Sequence, residues 1–168
     1  MKRVVIIGSP GAGKTTFARQ LATATGLPLV HLDKLYWDQK YHYQQDTAAW
    51  RERMRSLVDQ PSWIIDGNYK STFDIRFPAA DIIIYLDYRT YLTAWRAVKR
   101  RITLRNIVRP DMPTTWKEKL EWRLIVFILQ YRRVRRPEVC KLLHEQQHAQ
   151  VMHITSPKQA KTFLDTLH

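Results

Sequence analysis

The feature that most constrains this chain is a glycine-rich segment near its start, Gly8-Ser9-Pro10-Gly11-Ala12-Gly13-Lys14-Thr15. It matches the pattern of a glycine, four residues and Gly-Lys-Thr, and it follows the apolar run Val4 to Ile7. Glycines at these positions let backbone N–H groups turn towards one anion at the N-terminus of the helix that follows. The sequence therefore predicts a strand, a phosphate-binding loop and a helix in direct succession.

The types of residue in this segment also predict its ligands. Lys14 would reach the β and γ phosphates of a nucleoside triphosphate, and the Thr15 hydroxyl would bind Mg²⁺. A glycine-rich turn could serve packing alone, but a chance match is expected in roughly one chain in two hundred of this length. We therefore expect ATP and Mg²⁺ as cofactors. The expected nucleotide contacts are Gly8, Ser9, Pro10, Gly11, Ala12, Gly13, Lys14, Thr15 and Thr16.

Apolar and β-branched runs predict the rest of the fold. Five of them alternate with longer segments of helical spacing, which is typical of parallel strands covered on both faces. The runs span roughly residues 3–7, 29–32, 63–65, 81–86 and 151–154. Helices are expected over 15–25, after a capping Asp46, from near Thr90, and from Ser156-Pro157. This alternation predicts a doubly wound α/β domain.

A basic insertion interrupts the alternation. Arg109 to Pro113 should end one helix, and a long helix is expected from about 115 to about 147, bent near Pro137. From Arg96 to Arg136 there are thirteen Lys and Arg residues and three acidic residues. This segment therefore carries 13 minus 3, or +10, of the chain's formal net charge of +13. Such a segment could bind a nucleotide's phosphates, a nucleic acid or an acidic membrane surface. We expect one domain over 1–168 that includes the insertion at about 96–147.

The apolar runs are too short for a secretion signal or a membrane-spanning helix. Val4 to Ile7 is too short for a secretion signal, and Leu124 to Leu129 is about a third of the length of a membrane-spanning helix. Cys140 is the one cysteine, so no disulfide can form within the chain. We expect a cytoplasmic protein that has no membrane partner.

Two carboxylates that follow apolar strands are candidates for the metal side. Asp66 ends Trp63-Ile64-Ile65 and could hold a Mg²⁺-bound water, and Gly67 would leave room for an acceptor beside the backbone. Asp66 could instead only open a turn. Asp87, after another buried run, is the rival; we favour Asp66 because of the glycine that follows it.

A third carboxylate, Asp33, closes the second predicted strand. At the carboxyl end of a strand it could accept the proton of an acceptor hydroxyl that attacks the γ-phosphate. A helix cap or an ion pair with Lys34 is the alternative reading. The aromatic stretch that begins Leu35-Tyr36-Trp37 could line an acceptor pocket or pack in the core.

Together these motifs resemble a known group of enzymes. The order of Gly8 to Thr15, Asp66-Gly67 and Arg96 to Arg101 is similar to that in adenylate-kinase-like P-loop kinases. Residues 31–37, 63–69 and 154–157 look like the topology modulation protein (FlaR-related) branch of that group. The resemblance implies a three-layer P-loop NTPase fold with five parallel strands in the order 2-3-1-4-5 and a helical lid. It also implies Mg·ATP as the phosphate donor.

By position, the resemblance implies roles for several further residues. Arg96 would stack near the adenine, Arg100 would contact phosphates when the lid closes, and Ser156 and Pro157 would lie beside the adenine. The chain departs from adenylate kinases after the second strand, where Asp33-Lys34-Leu35 replaces a Thr-Gly pair and an Arg. Asp33 resembles instead the acid of kinases that phosphorylate nucleosides or small hydroxy compounds.

We therefore expect a single P-loop kinase domain whose lid is the basic insertion and whose acceptor is a small molecule with a hydroxyl. The expected catalytic residues are Lys14, Asp33 and Arg100, the metal ligands Thr15 and Asp66, and the substrate contacts Asp33, Trp37, Gly67 and Arg76. Two alternatives are a nucleoside monophosphate kinase and a nucleotide-regulated, DNA-associated protein without kinase activity. Either a monomer or a homodimer is compatible with the sequence.

Overall fold

Five parallel strands form one sheet in the computed structural model, which describes residues 1–37, 47–103 and 122–167. The strands are β1 (Arg3–Gly8), β2 (Leu29–His31), β3 (Trp63–Asp66), β4 (Ile82–Leu86) and β5 (Gln150–Ile154). Their order across the sheet is β2-β3-β1-β4-β5. The predicted order is therefore confirmed.

The central strand, β1, explains why the candidate residues meet at one edge. Its residues from Val4 onwards are buried, because β3 and β4 flank it and helices cover both faces. In the parallel register Ile6 lies opposite Asp66, and Gly8 lies opposite Leu86. The loop after β1 and the carboxylates that end the neighbouring strands are thus brought to the same edge of the sheet.

Eight α-helices are found among the described residues. They are α1 (Lys14–Thr25), α2 (Leu32–Tyr36), α3 (Thr47–Val58), α4 (Phe73–Ala79), α5 (Thr90–Thr103), α6 (Trp122–Val134), α7 (Arg136–His144) and α8 (Pro157–Asp165). A short 3₁₀ turn, Lys70–Thr72, precedes α4. One apolar cluster includes Trp50, Met54 and Phe77, and a second includes Phe17 and Leu164. Helices on both faces of the sheet confirm the three-layer α/β fold.

The structure corrects several predicted boundaries. The second strand ends at His31, and Leu32 begins α2, so Asp33 lies in the first turn of a short helix rather than at a strand end. Leu32 is fully buried, and its side chain packs beside Gly67. Neither α2 nor α4 was predicted.

The predicted long helix is two helices. The helix is interrupted at Arg135, two residues before Pro137, and α7 ends at His144 rather than near residue 147. Its predicted start near 115, the centre of the basic insertion and the capping Asp46 lie outside the described residues. At α8 the predicted cap is present, since Ser156 Oγ accepts a hydrogen bond from the Gln159 N–H at 3.3 Å. Within the described ranges, no helix is both long and apolar enough to span a membrane.

Candidate active site

The glycine-rich loop joins β1 to α1 and packs tightly against its neighbours. At Gly11 the backbone φ is 80°, and a Cβ there would lie 2.3 Å from the carbonyl oxygen of Thr93 in α5. A Cβ at Gly8 would lie 2.4 Å from the Leu86 carbonyl oxygen. Both neighbours are backbone atoms that cannot rotate away, so larger residues do not fit. No side chain caps α1 at Gly13, which suits the binding of an anion at this N-terminus.

Lys14 lies against its own loop. Its Nζ donates to the carbonyl oxygens of Gly8 at 3.0 Å and Ser9 at 3.1 Å. The ammonium group is therefore held over the backbone that the motif predicts to surround a phosphate. A flexible stem and three rotatable N–H donors allow the same group to bind phosphate oxygens.

Asn68 fixes the start of the loop from outside it. The Gly8 N–H donates to Asn68 Oδ1 at 3.0 Å, and Asn68 Nδ2 donates to the Gly8 carbonyl oxygen at 2.9 Å. One side-chain amide thus bonds both polar groups of a single residue. Sequence reasoning did not select Asn68; its position two residues after Asp66 was the available signal.

The two predicted metal-side residues are in contact. Thr15 Oγ1 donates to Asp66 Oδ2 at 3.0 Å, and His31 Nδ1 lies 3.1 Å from the same oxygen. Asp66 is buried, and its Oδ1 has no hydrogen-bond partner among the described residues. A hydroxyl beside a buried carboxylate oxygen with spare acceptor capacity fits the oxygen ligands and water-mediated contacts that Mg²⁺ prefers. Sequence reasoning did not select His31.

Asp87, the rival carboxylate, has different partners. Its Oδ2 accepts from Arg136 Nε at 2.7 Å and lies 2.9 Å from His153 Nε2. Asp87 is buried, and these contacts join the end of β4 to β5 and to the start of α7. Of the two candidates, Asp66 is therefore the one that contacts Thr15.

Asp33 stands at the same edge of the sheet, among aromatic rings. The Tyr69 hydroxyl donates to Asp33 Oδ1 at 2.9 Å. The Tyr36 ring centroid lies 4.8 Å from that of Tyr69 and 5.4 Å from that of Trp37. Trp37 is 37% exposed, whereas Trp50 is buried. Burial and the adjacent Asp33 carboxylate raise the pKa of Tyr69, so its hydroxyl stays protonated and can donate.

One predicted acceptor contact is corrected by the structure, and another stays a prediction. Gly67 packs against the side chain of Leu32, because a Cβ on Gly67 would lie 2.8 Å from Leu32 Cβ. Gly67 as an acceptor contact stays a prediction. Arg76 as a substrate contact is wrong, because its side chain is fully buried. Its guanidinium donates to the carbonyl oxygens of Gly67, Asn68 and Tyr69. Desolvation lowers the pKa of Arg76 to about 9, which leaves the group charged at neutral pH.

Of the remaining predicted contacts, Arg96 lies beside the loop. Arg96 Nη1 donates to the Ala12 carbonyl oxygen at 3.4 Å, and its guanidinium carbon lies 5.5 Å from the centre of the Tyr88 ring. The side chain of Arg100 lies outside the described part of the chain. Ser156 and Pro157 begin α8 directly after β5, at the same edge of the sheet. Arg96 is therefore the predicted lid residue that the structure brings to the loop.

Comparisons of sequence find nucleotide-binding proteins and kinases. Residues 4–65 match the family described as ATPase family associated with various cellular activities (AAA). The chain is 30% identical over 92 residues to a cytidylate kinase of Pyrobaculum aerophilum, covering 55% of this chain and 45% of that one. It is 36% identical over 67 residues to a shikimate kinase of Parabacteroides distasonis, covering 36% and 38% respectively. The chain thus spans less than half the length of either curated relative.

Comparisons of structure cover nearly the whole chain. A shikimate kinase from Bacteroides thetaiotaomicron matches with a TM-score of 0.60 at 17% identity, over 99% of this chain and 95% of that one. A gluconokinase from Sinorhizobium meliloti matches with a TM-score of 0.55 at 14% identity, over 99% and 93%. Together with the strand order and the loop, these similarities show that the chain has the three-layer fold of P-loop kinases.

Proposed function

We propose that this protein is an ATP-dependent phosphotransferase that moves the γ-phosphate of Mg·ATP to a hydroxyl group of a small molecule. The observation that carries the proposal is the hydrogen bond of 3.0 Å between Thr15, at the end of the phosphate loop, and Asp66, at the end of the adjacent strand. Such a pair supports use of Mg²⁺ with the nucleotide, as in other P-loop enzymes. The kinase names of the sequence relatives favour transfer over hydrolysis alone.

On the nucleotide side, the loop backbone and Lys14 would bind the phosphates, and Thr15 and Asp66 would hold Mg²⁺. When bound, this ion neutralises charge on the β and γ phosphates. His31 and Thr15 both contact Asp66 Oδ2, which fixes the carboxylate while its Oδ1 stays available. Arg96 would lie near the adenine, as would Ser156 and Pro157, and Arg100 would contact the phosphates when the lid, within 96–147, closes over them.

On the acceptor side, Asp33 would take the proton of the acceptor hydroxyl. The acceptor oxygen attacks the γ-phosphorus, the bond between that phosphorus and the β–γ bridging oxygen breaks, and ADP leaves. The Tyr69 hydroxyl donates to Asp33 Oδ1, which orients the carboxylate and leaves Oδ2 for the proton. Trp37, which is partly exposed beside Tyr36, would contact the acceptor.

The acceptor we propose is an alcohol, such as a nucleoside or another small metabolite. A nucleoside monophosphate kinase is the alternative favoured by the cytidylate kinase relative. Such an enzyme needs guanidinium groups for the acceptor's phosphate, and Arg76 is buried with its donors directed at backbone carbonyls. A carboxylate at position 33 suits a hydroxyl acceptor better than a second phosphate.

Membership of the topology modulation protein family, and with it a DNA-associated role, is the second candidate. It is favoured by basic side chains at the end of α6 and just beyond it, where Arg132, Arg133 and Arg135 are exposed. Such a surface could bind phosphates along a nucleic acid. The kinase proposal accounts for Asp33 and Asp66 as well, so we prefer it.

The test is to incubate the protein with Mg²⁺ and γ-labelled ATP and a panel of nucleosides, nucleoside monophosphates and sugar or cyclitol alcohols. Labelled product from an alcohol supports the proposal. Labelled product only from monophosphates supports the alternative acceptor class. Absence of any product, together with tight DNA binding that weakens steeply with salt, contradicts the kinase proposal.

A further inference from the structure

A three-residue turn, Gly67, Asn68 and Tyr69, lies between the two sides of the proposed site. We call it the 67–69 turn. It directly follows Asp66, the residue that contacts Thr15. Its middle residue bonds Gly8 of the phosphate loop, and its last residue bonds Asp33. One short segment therefore contacts both the nucleotide side and the acceptor side.

The contact to the phosphate loop is reciprocal. Asn68 Oδ1 accepts from the Gly8 N–H, and Asn68 Nδ2 donates to the Gly8 carbonyl oxygen, at 3.0 Å and 2.9 Å. The same carbonyl accepts from Lys14 Nζ at 3.0 Å. Any movement of Lys14 or of the Gly8 peptide on phosphate binding therefore changes the environment of Asn68.

The turn itself is held in an unfavourable conformation. Tyr69 has φ of 24° and ψ of 70°, in the left-handed region that residues other than glycine seldom occupy. Such strain persists only where the surroundings enforce it. Here the Tyr69 carbonyl oxygen accepts from Arg76 Nη2 at 3.1 Å and from Thr72 Oγ1 at 2.9 Å. Arg76 and Thr72 are both fully buried.

Arg76 makes the turn a single unit. Its guanidinium donates to the Gly67 carbonyl oxygen at 2.9 Å and to the Asn68 carbonyl oxygen at 2.6 Å, besides the Tyr69 carbonyl. Its Nε donates to Thr72 Oγ1 at 3.1 Å. Three consecutive carbonyl groups fixed to one buried cation cannot move independently. A displacement at Asn68 is therefore transmitted to Tyr69.

We propose that Asn68 and Tyr69 are positioning residues that couple nucleotide binding at Gly8 to the placement of Asp33, through the 67–69 turn held by Arg76. This rests on the proposed function for the role of Asp33, and it goes beyond that function by assigning the communication between the two sides. Nucleotide binding then restricts the motion of α2, which carries Asp33, before an acceptor arrives.

The test measures hydrogen exchange in the whole protein, with Mg²⁺ and a non-hydrolysable ATP analogue as the probe. In the wild-type protein, a saturating amount of this probe slows the exchange of backbone amides in 32–37. Asn68→Ala weakens probe binding about tenfold, the effect of losing roughly one hydrogen-bonded contact, and saturating probe no longer slows exchange in 32–37. Tyr69→Phe leaves probe affinity within about twofold and also abolishes the slowing.

Matched controls separate this coupling from general loosening. Gln60→Ala removes an exposed amide before the amino end of β3, and Tyr91→Phe removes an exposed phenol hydroxyl on α5. Both controls keep the wild-type affinity and the slowed exchange. The proposal is overturned if the probe still slows exchange in 32–37 in Asn68→Ala and Tyr69→Phe. It is also overturned if the probe does not slow this exchange in the wild type.

The same measurements keep the two proposals distinguishable. The wild-type protein could transfer phosphate to an alcohol while the probe leaves hydrogen exchange in 32–37 unchanged. That result rejects the coupling alone. Coupled exchange in a protein that phosphorylates nothing in the acceptor panel rejects the kinase proposal and leaves the coupling supported. Tyr69→Phe provides a final check, because positioning of Asp33 predicts a lower kcat with an unchanged KM for ATP.

Discussion

The Thr15 hydroxyl donates a hydrogen bond of 3.0 Å to Asp66 Oδ2, which joins two residues that are 51 positions apart in the chain. Thr15 lies in the first turn of α1 and Asp66 at the last position of β3, so parallel pairing of β3 with β1 creates the contact. The hydroxyl and the buried carboxylate are already in contact, and under the proposed function this contact would lower the entropic cost of binding Mg·ATP.

Replacing Thr15 by Val should therefore reduce the benefit of Mg²⁺. The change keeps the shape of the side chain and removes the hydroxyl, so the gain in nucleotide affinity on adding Mg²⁺ should fall by about tenfold or more. Calorimetric titration with a non-hydrolysable ATP analogue, with and without Mg²⁺, measures this. Thr23→Val, on the exposed side of α1, is the matched control. An equal Mg²⁺ effect in both variants would remove Thr15 from the metal site.

Replacing Asp33 by Asn should separate transfer from binding. The amide oxygen can still accept from Tyr69, but the side chain no longer takes a proton, so the transfer rate should fall by about a hundredfold or more. Affinity for the ATP analogue should stay within about twofold, because Asp33 lies on the acceptor side. Steady-state rates and calorimetry measure the two quantities. Asp59→Asn, at an exposed position, should leave both unchanged, and full activity of Asp33→Asn would contradict the mechanism.

Replacing Arg76 by Met should destabilise the fold. The change removes the guanidinium donor from the carbonyl oxygens of Gly67 and Asn68, and we expect the free energy of unfolding to fall by about 3 kcal/mol. Urea denaturation followed by circular dichroism measures this. Arg53→Met, on the exposed face of α3, should change stability by less than about 0.5 kcal/mol. A loss equally small in Arg76→Met would show that the buried guanidinium is not needed.

Asp81 should make part of the free energy of unfolding depend on pH. Its Oδ2 accepts from the backbone N–H groups of Lys2 at 2.6 Å and Arg3 at 3.0 Å, and these bonds hold the pKa of Asp81 below its ordinary value. Because the folded protein binds the proton more weakly than the unfolded chain, this contribution is present above about pH 4 and lost as pH falls through the depressed pKa. Asp81→Asn should therefore show a smaller loss of stability between pH 5 and pH 3.

Urea midpoints at the two pH values provide the measurement for Asp81. Asp59→Asn, which changes an exposed carboxylate elsewhere, should keep the wild-type pH dependence. If Asp81→Asn loses as much stability as the wild type between pH 5 and pH 3, the bonds of Asp81 to the Lys2 and Arg3 N–H groups do not contribute to the pH dependence.

Local pattern was sufficient to predict the α/β fold and to select Thr15 and Asp66, two residues that the structure brings into contact. A buried run before Gly8, the Gly-Lys-Thr ending and a carboxylate after Ile65 are all short-range signals. Parallel pairing of β1 with β3 then brings Thr15 and Asp66 together. The resemblance implied the strand order, and the structure confirms that order.

The contacts among residues on the proposed acceptor side could not be predicted, because they depend on tertiary packing. Leu32 continues an apolar run and was read as strand, but in the structure it begins α2, and its side chain packs beside Gly67, a residue distant in the chain. Arg76 has the charge of a surface residue, and only the folded path of the 67–69 turn supplies the carbonyl groups that allow its burial. Asn68 lies in the segment 63–69 that carries the resemblance, but its role was not predicted because its partner Gly8 is 60 residues away.

The contact between Gly11 and the Thr93 carbonyl oxygen has a consequence for inhibitor design. The loop backbone is common to many NTPases, so a compound that fills only the phosphate site offers little discrimination. Because Gly11 fits directly against α5, that helix is held close to the loop. Arg96 of α5 donates to the Ala12 carbonyl oxygen and lies over the Tyr88 ring. A selective ligand for this protein should therefore extend from the phosphates onto the Arg96 and Tyr88 pair.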